Sequence, residues 1–334
     1  MKSYILCYSI IIYLCGLVHA EGPFSINIGI ENGYFQSETL GDRLLIRLIS
    51  RINYSQKFEN NFINLKGRFS PELYGSSFDA AAYKFNGEIE LGGNIKSFHW
   101  LANLSTRNYF YRSNRFDNVT FNVFQINISL NRPVSEKNNL GILLDYYYRD
   151  NAEQPRSQLD NYRLAVSELY RINKSNFISF DVALEKYLIN RDSTIYIFNE
   201  NEGVRWGPVL SFNHRSGQII NASYELMHHQ SDLFGWEYWE HRIHLLWGRY
   251  VTKRISAFLF INYLFRPDQH PEDEYIDLAY TAANNETGYH IKLGYDFTRR
   301  MEIYIKTGYT KDELLYQRTN LDGWQYLAGM NYRF

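Results

Sequence analysis

Cysteine is scarce in this sequence. The chain of 334 residues has two, Cys7 and Cys15, and both fall within its first twenty positions. A disulfide framework is therefore excluded for everything that follows them. The stability of that part of the chain has to come from side-chain packing and backbone hydrogen bonding.

The N-terminal segment has the three parts of a secretory signal peptide. Lys2 supplies a positive start, Tyr4–Val18 is almost uninterrupted apolar sequence, and Ala20 ends a small-residue cleavage pattern. The apolar run is short for a membrane-spanning anchor. We expect cleavage after Ala20, which divides the chain into a signal peptide over 1–20 and one domain over 21–334.

Three further absences narrow the class of protein. The charges nearly cancel, with 35 Lys and Arg against 36 Asp and Glu, so no nucleic acid is expected as a partner. After the N-terminal segment, no apolar run is long enough for a transmembrane helix. Proline is rare, at 7 residues, whereas aromatic residues make up 17% of the chain. This composition is typical of β-structure and not of a disordered chain.

Segments with strand character follow one another with hardly a helical pattern between them. In 176–187, for example, Ile178, Phe180 and Val182 alternate with polar or small residues. Strands of about ten residues with this period are what a tilted membrane-crossing strand requires. Near Val123 the alternation changes phase, which predicts a β-bulge. The predicted strands number sixteen, with fourteen as the alternative, and span 23–32, 43–55, 62–69, 83–92, 96–105, 120–131, 139–149, 161–171, 176–187, 204–213, 218–228, 240–249, 254–265, 286–297, 300–310 and 323–334.

The predicted connections alternate between long and short along most of the chain. In an up-and-down meander every second connection lies on the same rim, and transmembrane β-barrels have long loops on one side and short turns on the other. The order found here places both chain ends on the side of the short turns. The long connections are expected at 70–82, 106–119, 150–160, 188–203, 229–239, 266–285 and 311–322.

The last predicted strand, WQYLAGMNYRF, ends on an aromatic residue. Gly329, Tyr332 and Phe334 resemble the carboxy-terminal assembly signal of bacterial outer-membrane β-barrels, although Leu327 stands where that signal usually has a polar residue. The resemblance implies an all-β fold: a porin-like, transmembrane, up-and-down antiparallel β-barrel in the outer membrane of a Gram-negative bacterium. It also implies the barrel-assembly machinery, outer-membrane lipid and lipopolysaccharide as partners.

Geometry supports the same fold over its soluble rivals. About sixteen strands close into a cylinder too wide for side chains to fill, so the apolar faces should point outward into lipid. A β-propeller would need a fixed repeat and inner strands with two apolar faces, and neither is present. A β-sandwich would not explain the alternating connections. Tyr and Phe near the strand ends are expected to form girdles at the two membrane interfaces.

The polar faces should then line a lumen. Arg47 and Arg51 on one strand, with Lys66 and Arg68 on the next, could form a basic ladder opposite Glu residues of the third. Because both charge signs are present in similar number, we expect weak ion selectivity or a wall cross-linked by ion pairs. The predicted pore-lining residues are Arg47, Arg51, Lys66, Arg68, Glu88, Glu90, Asp181, Glu185, Lys292, Asp296, Glu302 and Lys306.

Enzyme and metal sites are not expected. Histidines flank one predicted loop, but His241 and His244 are three apart in a strand-like segment and should point to opposite faces. No local motif of a barrel protease or lipase accompanies them, and nothing fixes four metal ligands. The acidic loop around Asp268 and Glu272 is expected to be solvated. We therefore expect no catalytic residues, no metal and no cofactor.

Three functions remain open at this point. The first is a weakly selective channel through which small hydrophilic solutes diffuse, narrowed by infolded loops such as 106–119 or 188–203. The second is an exit duct for an exported polysaccharide or surface protein. The third is a closed structural or adhesion barrel. A receptor with an N-terminal plug is not expected, because few residues separate Ala20 from the first strand.

Overall fold

The computed structural model describes residues 23–37, 41–75, 80–113, 119–151, 157–191, 200–231, 237–265, 287–311 and 323–334. The predicted signal peptide and its cleavage site lie outside these ranges. No helix within them is long and apolar enough to cross a lipid bilayer.

These residues form sixteen antiparallel strands that close into a barrel. Each strand is hydrogen-bonded to its neighbours in sequence, and the first strand is also hydrogen-bonded to the last. The predicted up-and-down antiparallel barrel and its strand number are thereby confirmed. The strands are β1 (Phe24–Ser37), β2 (Gly41–Phe58), β3 (Asn61–Tyr74), β4 (Ala80–Ile95), β5 (Phe98–Ser113), β6 (Val119–Pro133), β7 (Asn138–Asn151), β8 (Ser157–Asn173), β9 (Asn176–Arg191), β10 (Glu200–Arg215), β11 (Gln218–Ser231), β12 (Glu237–Tyr250), β13 (Ile255–Phe265), β14 (Thr287–Asp296), β15 (Met301–Lys311) and β16 (Gly323–Arg333).

The two ends of the barrel carry different connections. One end, here called the turn rim, has short turns such as Glu59-Asn60 and Lys96-Ser97, in which Glu59 and Lys96 adopt positive φ angles of 39° and 56°. The other end, the loop rim, carries the remaining connections, whose central residues lie outside the described ranges. These connections fall at 38–40, 75–79, 114–118, 152–156, 192–199, 232–236, 266–286 and 312–322.

The strands extend further toward the loop rim than the sequence predicted. Residues 106–113 belong to β5 and residues 200–203 belong to β10, although both segments were predicted to be loops. The reason lies in the side chains: near this rim the inward positions are often aromatic, as at Tyr109 and Tyr111, so polar and apolar residues no longer alternate.

The bulge predicted near Val123 is wrong. The ladder of β6 runs through this residue without a break, with Val123 opposite Arg107 on β5 and Arg149 on β7. The hydrophobic phase changes because Val123 faces inward into an apolar cluster, while the backbone register stays constant. The irregularity that is observed lies between Arg171 and Asn173, at the turn rim of β8.

The outward face is apolar and the inward face carries the charged residues. On β9, Phe180 and Val182 are 50% and 53% exposed, whereas Ala183 and Glu185 are 1% and 3% exposed. The exposed side therefore offers an apolar surface to lipid, as the sequence predicted. The aromatic residues near strand ends lie on this outward face at both rims, at Tyr146, Tyr148, Tyr263, Phe265, Tyr295, Phe297, Tyr332 and Phe334.

Near the loop rim, however, the inward face is apolar as well. Two clusters of buried inward side chains line it, and we call them together the loop-side layer. The expectation of a uniformly polar inner face is wrong at this level. The layer consists of Phe35, Leu45, Tyr74, Ala82, Tyr109, Tyr111 and Leu327 in the first cluster and Val123, Tyr147, Leu159, Tyr187 and Ile189 in the second, which adjoins it.

The seam between β1 and β16 provides a matched test of packing. A Cβ atom added at Gly33 would lie 1.9 Å from the carbonyl oxygen of Tyr326, whereas a Cβ added at Gly67 on β3 would meet nothing within 4 Å. We expect Gly33→Ala to lower the free energy of unfolding by about 1–3 kcal/mol, because the closing strands must separate to admit the methyl group. Gly67→Ala should leave it nearly unchanged. Urea unfolding in lipid vesicles measures both, and equal effects would contradict the seam geometry.

Candidate functional site

The candidate site is the inner wall of the barrel. All of the charged residues predicted to line a pore occupy inward strand positions, but they have different partners and fall into separate groups. They are Arg47, Arg51, Lys66, Arg68, Glu88, Glu90, Asp181, Glu185, Lys292, Asp296, Glu302 and Lys306.

One group of charges spans the closing seam, and we call it the seam network. Arg47 on β2 binds Glu31 on β1 through Nη1 at 2.8 Å and Glu72 on β3 through Nε at 2.6 Å. Glu72 is also approached by the Lys84 Nζ of β4 at 3.5 Å. On the other side of the seam, the Tyr304 hydroxyl of β15 donates to Glu31 at 2.8 Å. Side chains of five strands are thus joined across the point where the barrel closes.

Gly329 makes this connection possible. Tyr304 on β15 reaches Glu31 on β1 by lying across the intervening strand β16 at Gly329. A Cβ atom at Gly329 would lie 2.5 Å from the Cζ of the Tyr304 ring. The glycine that resembles part of an assembly signal therefore also has a packing role in the folded barrel.

A second group forms a ladder of alternating charge on β8 to β12, here called the Arg–Glu ladder. Arg163 binds Glu185 at 2.9 Å, and Arg205 binds the other oxygen of Glu185 at 3.1 Å. Arg242 then binds Glu225 at 3.6 Å, and Glu225 also accepts from Arg163 at 3.4 Å. The sixth member, Glu240, lies 2.5 Å from Arg205 and 3.1 Å from Arg242.

The Arg–Glu ladder is deeply buried. The side chains of Arg205 and Glu240 are each 1% exposed, and Glu185 is 3% exposed. Burial of charges is costly unless each is paired and hydrogen-bonded. With three arginines and three glutamates the ladder is neutral, so it forms a cross-linked part of the wall and does not add net charge to the lumen.

The two networks lie on opposite sides of the barrel. Their central strands, β2 and β10, are eight strands apart in the closed order of sixteen. Arg47 is the seventh residue of β2 and Arg205 the sixth residue of β10, counted from the loop rim. Both networks therefore lie below the loop-side layer, at comparable depth along their strands.

The predicted basic ladder is divided by the structure. Arg47 belongs to the seam network, and Lys66 binds Glu88 at 2.8 Å. Between them, Arg51 and Arg68 occupy directly opposed positions on β2 and β3. Two of the four predicted cations are therefore paired with carboxylates, and the other two face each other.

Arg51 and Arg68 line a cavity of about 520 Å³ on the inner face of β2 to β6. Amide and hydroxyl side chains, including Asn86, Asn103 and Asn127, complete its wall. A second cavity of about 470 Å³ lies along β10 to β15 and is lined by uncharged polar and apolar side chains together. Cavities with polar side chains in their walls are thus found on both sides of the barrel.

Three more of the predicted residues make local contacts. Glu302 on β15 binds the Lys292 Nζ of β14 at 2.8 Å and accepts from Asn331 at 2.9 Å. Glu90 accepts a hydrogen bond from Asn64 at 2.6 Å. These contacts link adjacent strands, so this part of the inner wall is also cross-linked.

The histidines do not form a common constellation in the described part of the chain. His241 faces outward and is hydrogen-bonded to the Tyr224 hydroxyl at 2.7 Å, whereas His244 faces the lumen. His229 is buried on the inner face, where its Nε2 lies 2.7 Å from the Tyr187 hydroxyl. No group of three or more metal-ligating side chains is found among the described residues. The acidic segment around Asp268 and Glu272 lies outside them.

Several residues of the two networks were not predicted. Glu72 and Glu240 lie in or next to segments predicted to be loops, and Arg163 and Arg205 lie in predicted strands but were not assigned to the lumen. If the alternation of Lys66 and Arg68 is continued beyond the predicted end of that strand, it places Glu72 on the inner face. The pairing of Arg205 with Glu185 depends on cross-strand register, which the sequence pattern does not specify.

Loss of one member of the Arg–Glu ladder should be far more costly than loss of an exposed charge. Arg205→Met would remove one of the two arginine partners of Glu185 and of Glu240 and leave the buried ladder with a net negative charge, so we expect about 3–5 kcal/mol of destabilisation. The control is Lys186→Met, which removes an outward cation whose ion pair with Glu202 at 2.9 Å is largely exposed. That substitution should cost at most about 1 kcal/mol. Unfolding titrations in vesicles compare the two, and similar losses would show that the ladder is not a structural cross-link.

Comparison by sequence finds no matching family model and no matching curated protein. Comparison of structures finds barrels of low identity. CdiB from Acinetobacter baumannii has 10% identity and a TM-score of 0.49 over 95% of this chain and 61% of its own. The FrpB iron transporter from Neisseria meningitidis has 10% identity and a TM-score of 0.47 over 94% of this chain and 82% of its own. OccAB4 from Acinetobacter baumannii has 11% identity and a TM-score of 0.39 over 93% of this chain and 98% of its own.

At these values the similarities carry no argument about function. The assignment rests on the chain itself: a closed antiparallel wall, an apolar outward face with aromatic residues at both rims, and an inward face that carries the charges. The chain is a β-barrel of the outer-membrane type.

Proposed function

We propose that this protein is a weakly selective outer-membrane channel through which small hydrophilic solutes diffuse. The observation that carries the proposal is the hollow, polar interior. The backbone of every strand lies close only to the backbones of its two hydrogen-bonded neighbours, so within the described residues no element crosses the inside of the barrel. Barrels of about this size enclose an aqueous path when nothing plugs them.

Side chains of the wall narrow this path. The segments 106–113 and 200–203, expected earlier to belong to infolded loops, are part of strands β5 and β10. What projects inward at that level is the loop-side layer and, below it, the two charged networks. The narrowest part of the channel is therefore proposed to lie between the seam network and the Arg–Glu ladder.

The balance of charge supports weak selectivity. The Arg–Glu ladder is neutral, and in the seam network two basic and two acidic side chains are bound together. Strong ion selectivity requires rings of one sign, which these networks lack. The excess of positive charge around Arg51 and Arg68 favours anions slightly.

A closed barrel is the second candidate, because the loop-side layer is an apolar obstacle to hydrated solutes. Tyr187 of this layer also stacks on His229, which stacks on Tyr238, with ring centroids 5.4 Å and 4.3 Å apart. If such stacks met across the lumen they would seal it. A conductance measurement separates the two candidates.

The proposed location and orientation follow from the same barrel. A signal peptide over 1–20 would direct export, the loop rim would face the cell exterior, and lipid and lipopolysaccharide would surround the outward face. Gly329, Tyr332 and Phe334 are proposed to be the signal that the barrel-assembly machinery recognises. In the folded chain the Tyr332 and Phe334 rings are 4.7 Å apart, and the Phe334 N–H donates to the Ile26 carbonyl at 3.0 Å.

Single-channel recording in planar bilayers tests the proposed channel. The refolded protein should give stepwise increases in current in KCl. Under a KCl gradient its reversal potential should be far smaller than that of an ideally selective pore, with the sign of a slight anion preference. Absence of current steps from a protein that has inserted and folded would refute the channel and favour the closed barrel.

Deletion of Phe334 tests the assembly signal. The deletion removes one ring and one backbone hydrogen bond at the end of β16, so the folded barrel should lose little stability. Insertion catalysed by the assembly machinery should slow markedly, while spontaneous insertion into short-chain lipid vesicles should change much less. The control is Phe297→Ala, which removes an outward aromatic ring at the same rim. Equal effects of both changes on catalysed insertion would contradict the signal.

A further inference from the structure

The most unusual charge arrangement in the barrel is the opposed pair Arg51 and Arg68. They are Cα partners on β2 and β3, and both point inward. Like charges directly opposite each other on neighbouring strands destabilise a sheet. An arrangement of this kind requires compensation, from carboxylates of the protein or from another negative group.

The protein does not supply that compensation within the described residues. The adjacent positions on the same strands are neutralised, Arg47 by Glu31 and Glu72 and Lys66 by Glu88. Arg51 and Arg68 form no ion pair with any described carboxylate. The Arg68 Nε makes a hydrogen bond of 3.4 Å to the Ser70 hydroxyl, and both Arg51 and Arg68 line the cavity.

The cavity beside this pair is strongly positive. Its charged lining residues are Arg51, Lys66, Arg68 and Arg107 against Glu88 alone, which gives a net charge of +3. Arg107 lies in the same cross-strand row as Arg68, with Asn86 between them. Guanidinium groups bind carboxylate and phosphate through paired hydrogen bonds, more specifically than an ammonium group does.

The rest of the cavity suits a hydroxylated molecule. Its volume is about 520 Å³, within the range of small-molecule sites. Asn86, Asn103 and Asn127 offer amide groups that can both donate to and accept from hydroxyl groups. Asn103 already donates to Glu88 at 3.0 Å, so it is held in place.

We propose that this cavity is a binding site for small polyhydroxylated organic anions, with the anionic group held between Arg51 and Arg68. The inference rests on the proposed channel, because a solute reaches the cavity through the water-filled lumen. Binding itself does not require conduction. The two ideas can therefore fail separately.

Three probes that share one carbon chain test the site: gluconate, the neutral sorbitol and the cationic N-methylglucamine. Isothermal titration calorimetry on the folded protein in detergent should show saturable binding of gluconate and none of the other two. In single-channel recordings, gluconate added to KCl should reduce the current in a saturable way. Equal effects of all three probes, or no saturable gluconate binding, would overturn the proposal.

The variant Arg51→Gln/Arg68→Gln should weaken gluconate binding by about tenfold or more, because it removes both charge-assisted contacts. It also removes a like-charge repulsion, so the barrel should remain folded, which its resistance to unfolding by detergent at low temperature verifies. The control, Arg299→Gln/Arg300→Gln, removes two cations from a turn at the turn rim and should bind gluconate as the wild type does.

The outcomes separate the two proposals. Gluconate binding that Arg51→Gln/Arg68→Gln abolishes, in a protein that conducts no current, would keep the site and refute the channel. If the protein conducts current but binds gluconate no better than sorbitol or N-methylglucamine, the channel would stand and the site would be refuted. An equal loss of binding in the turn variant would show a general charge effect and refute the assigned residues.

Discussion

Everything in this barrel depends on one constraint: a backbone that crosses lipid must satisfy its hydrogen bonds within the chain. A strand can do so only if it has a partner on each side, and the pairing of β1 with β16 supplies the last partner. The seam is therefore the most demanding place in the fold. Gly33 allows the closing strands to approach, and Gly329 allows Tyr304 to reach Glu31 across β16. The seam network then ties the first strands to the last by side chains as well.

Closure leaves a wide interior, and the chain uses it in three ways along the axis. Near the loop rim, inward aromatic residues bury one another. Below them the seam network cross-links one side of the wall and the Arg–Glu ladder cross-links the opposite side. Each charge of the two networks is paired, and most of them are buried. Toward the turn rim the wall is polar and accessible, and there Arg51 and Arg68 remain without carboxylate partners among the described residues. Rigidity and access to water are thus separated along the strands.

The sequence predicted the fold well because a strand between lipid and water has two very different faces. The alternation around Phe180 and Val182 reports that difference directly, and strand number and order follow from counting such segments. Where both faces are apolar, as around Tyr109 and Val123, the pattern fails, and it predicts strands that end too early or a bulge that is absent. The sequence pattern could not predict the ion pairs, for a different reason. Whether Arg205 meets Glu185 depends on a cross-strand register that is a property of two strands together.

The arrangement on which the fold depends is that successive residues of one strand face lipid and water in turn. Because no cysteine follows Cys15, single cysteines can be placed in β9 without background. In protein inserted into lipid vesicles, Ser179→Cys and Asp181→Cys should react with a charged, water-soluble thiol reagent, whereas Phe180→Cys and Val182→Cys should be protected. All four should react after unfolding in urea. Reaction at the even positions and protection at the odd ones, or equal reaction at all four in the inserted protein, would contradict the arrangement described.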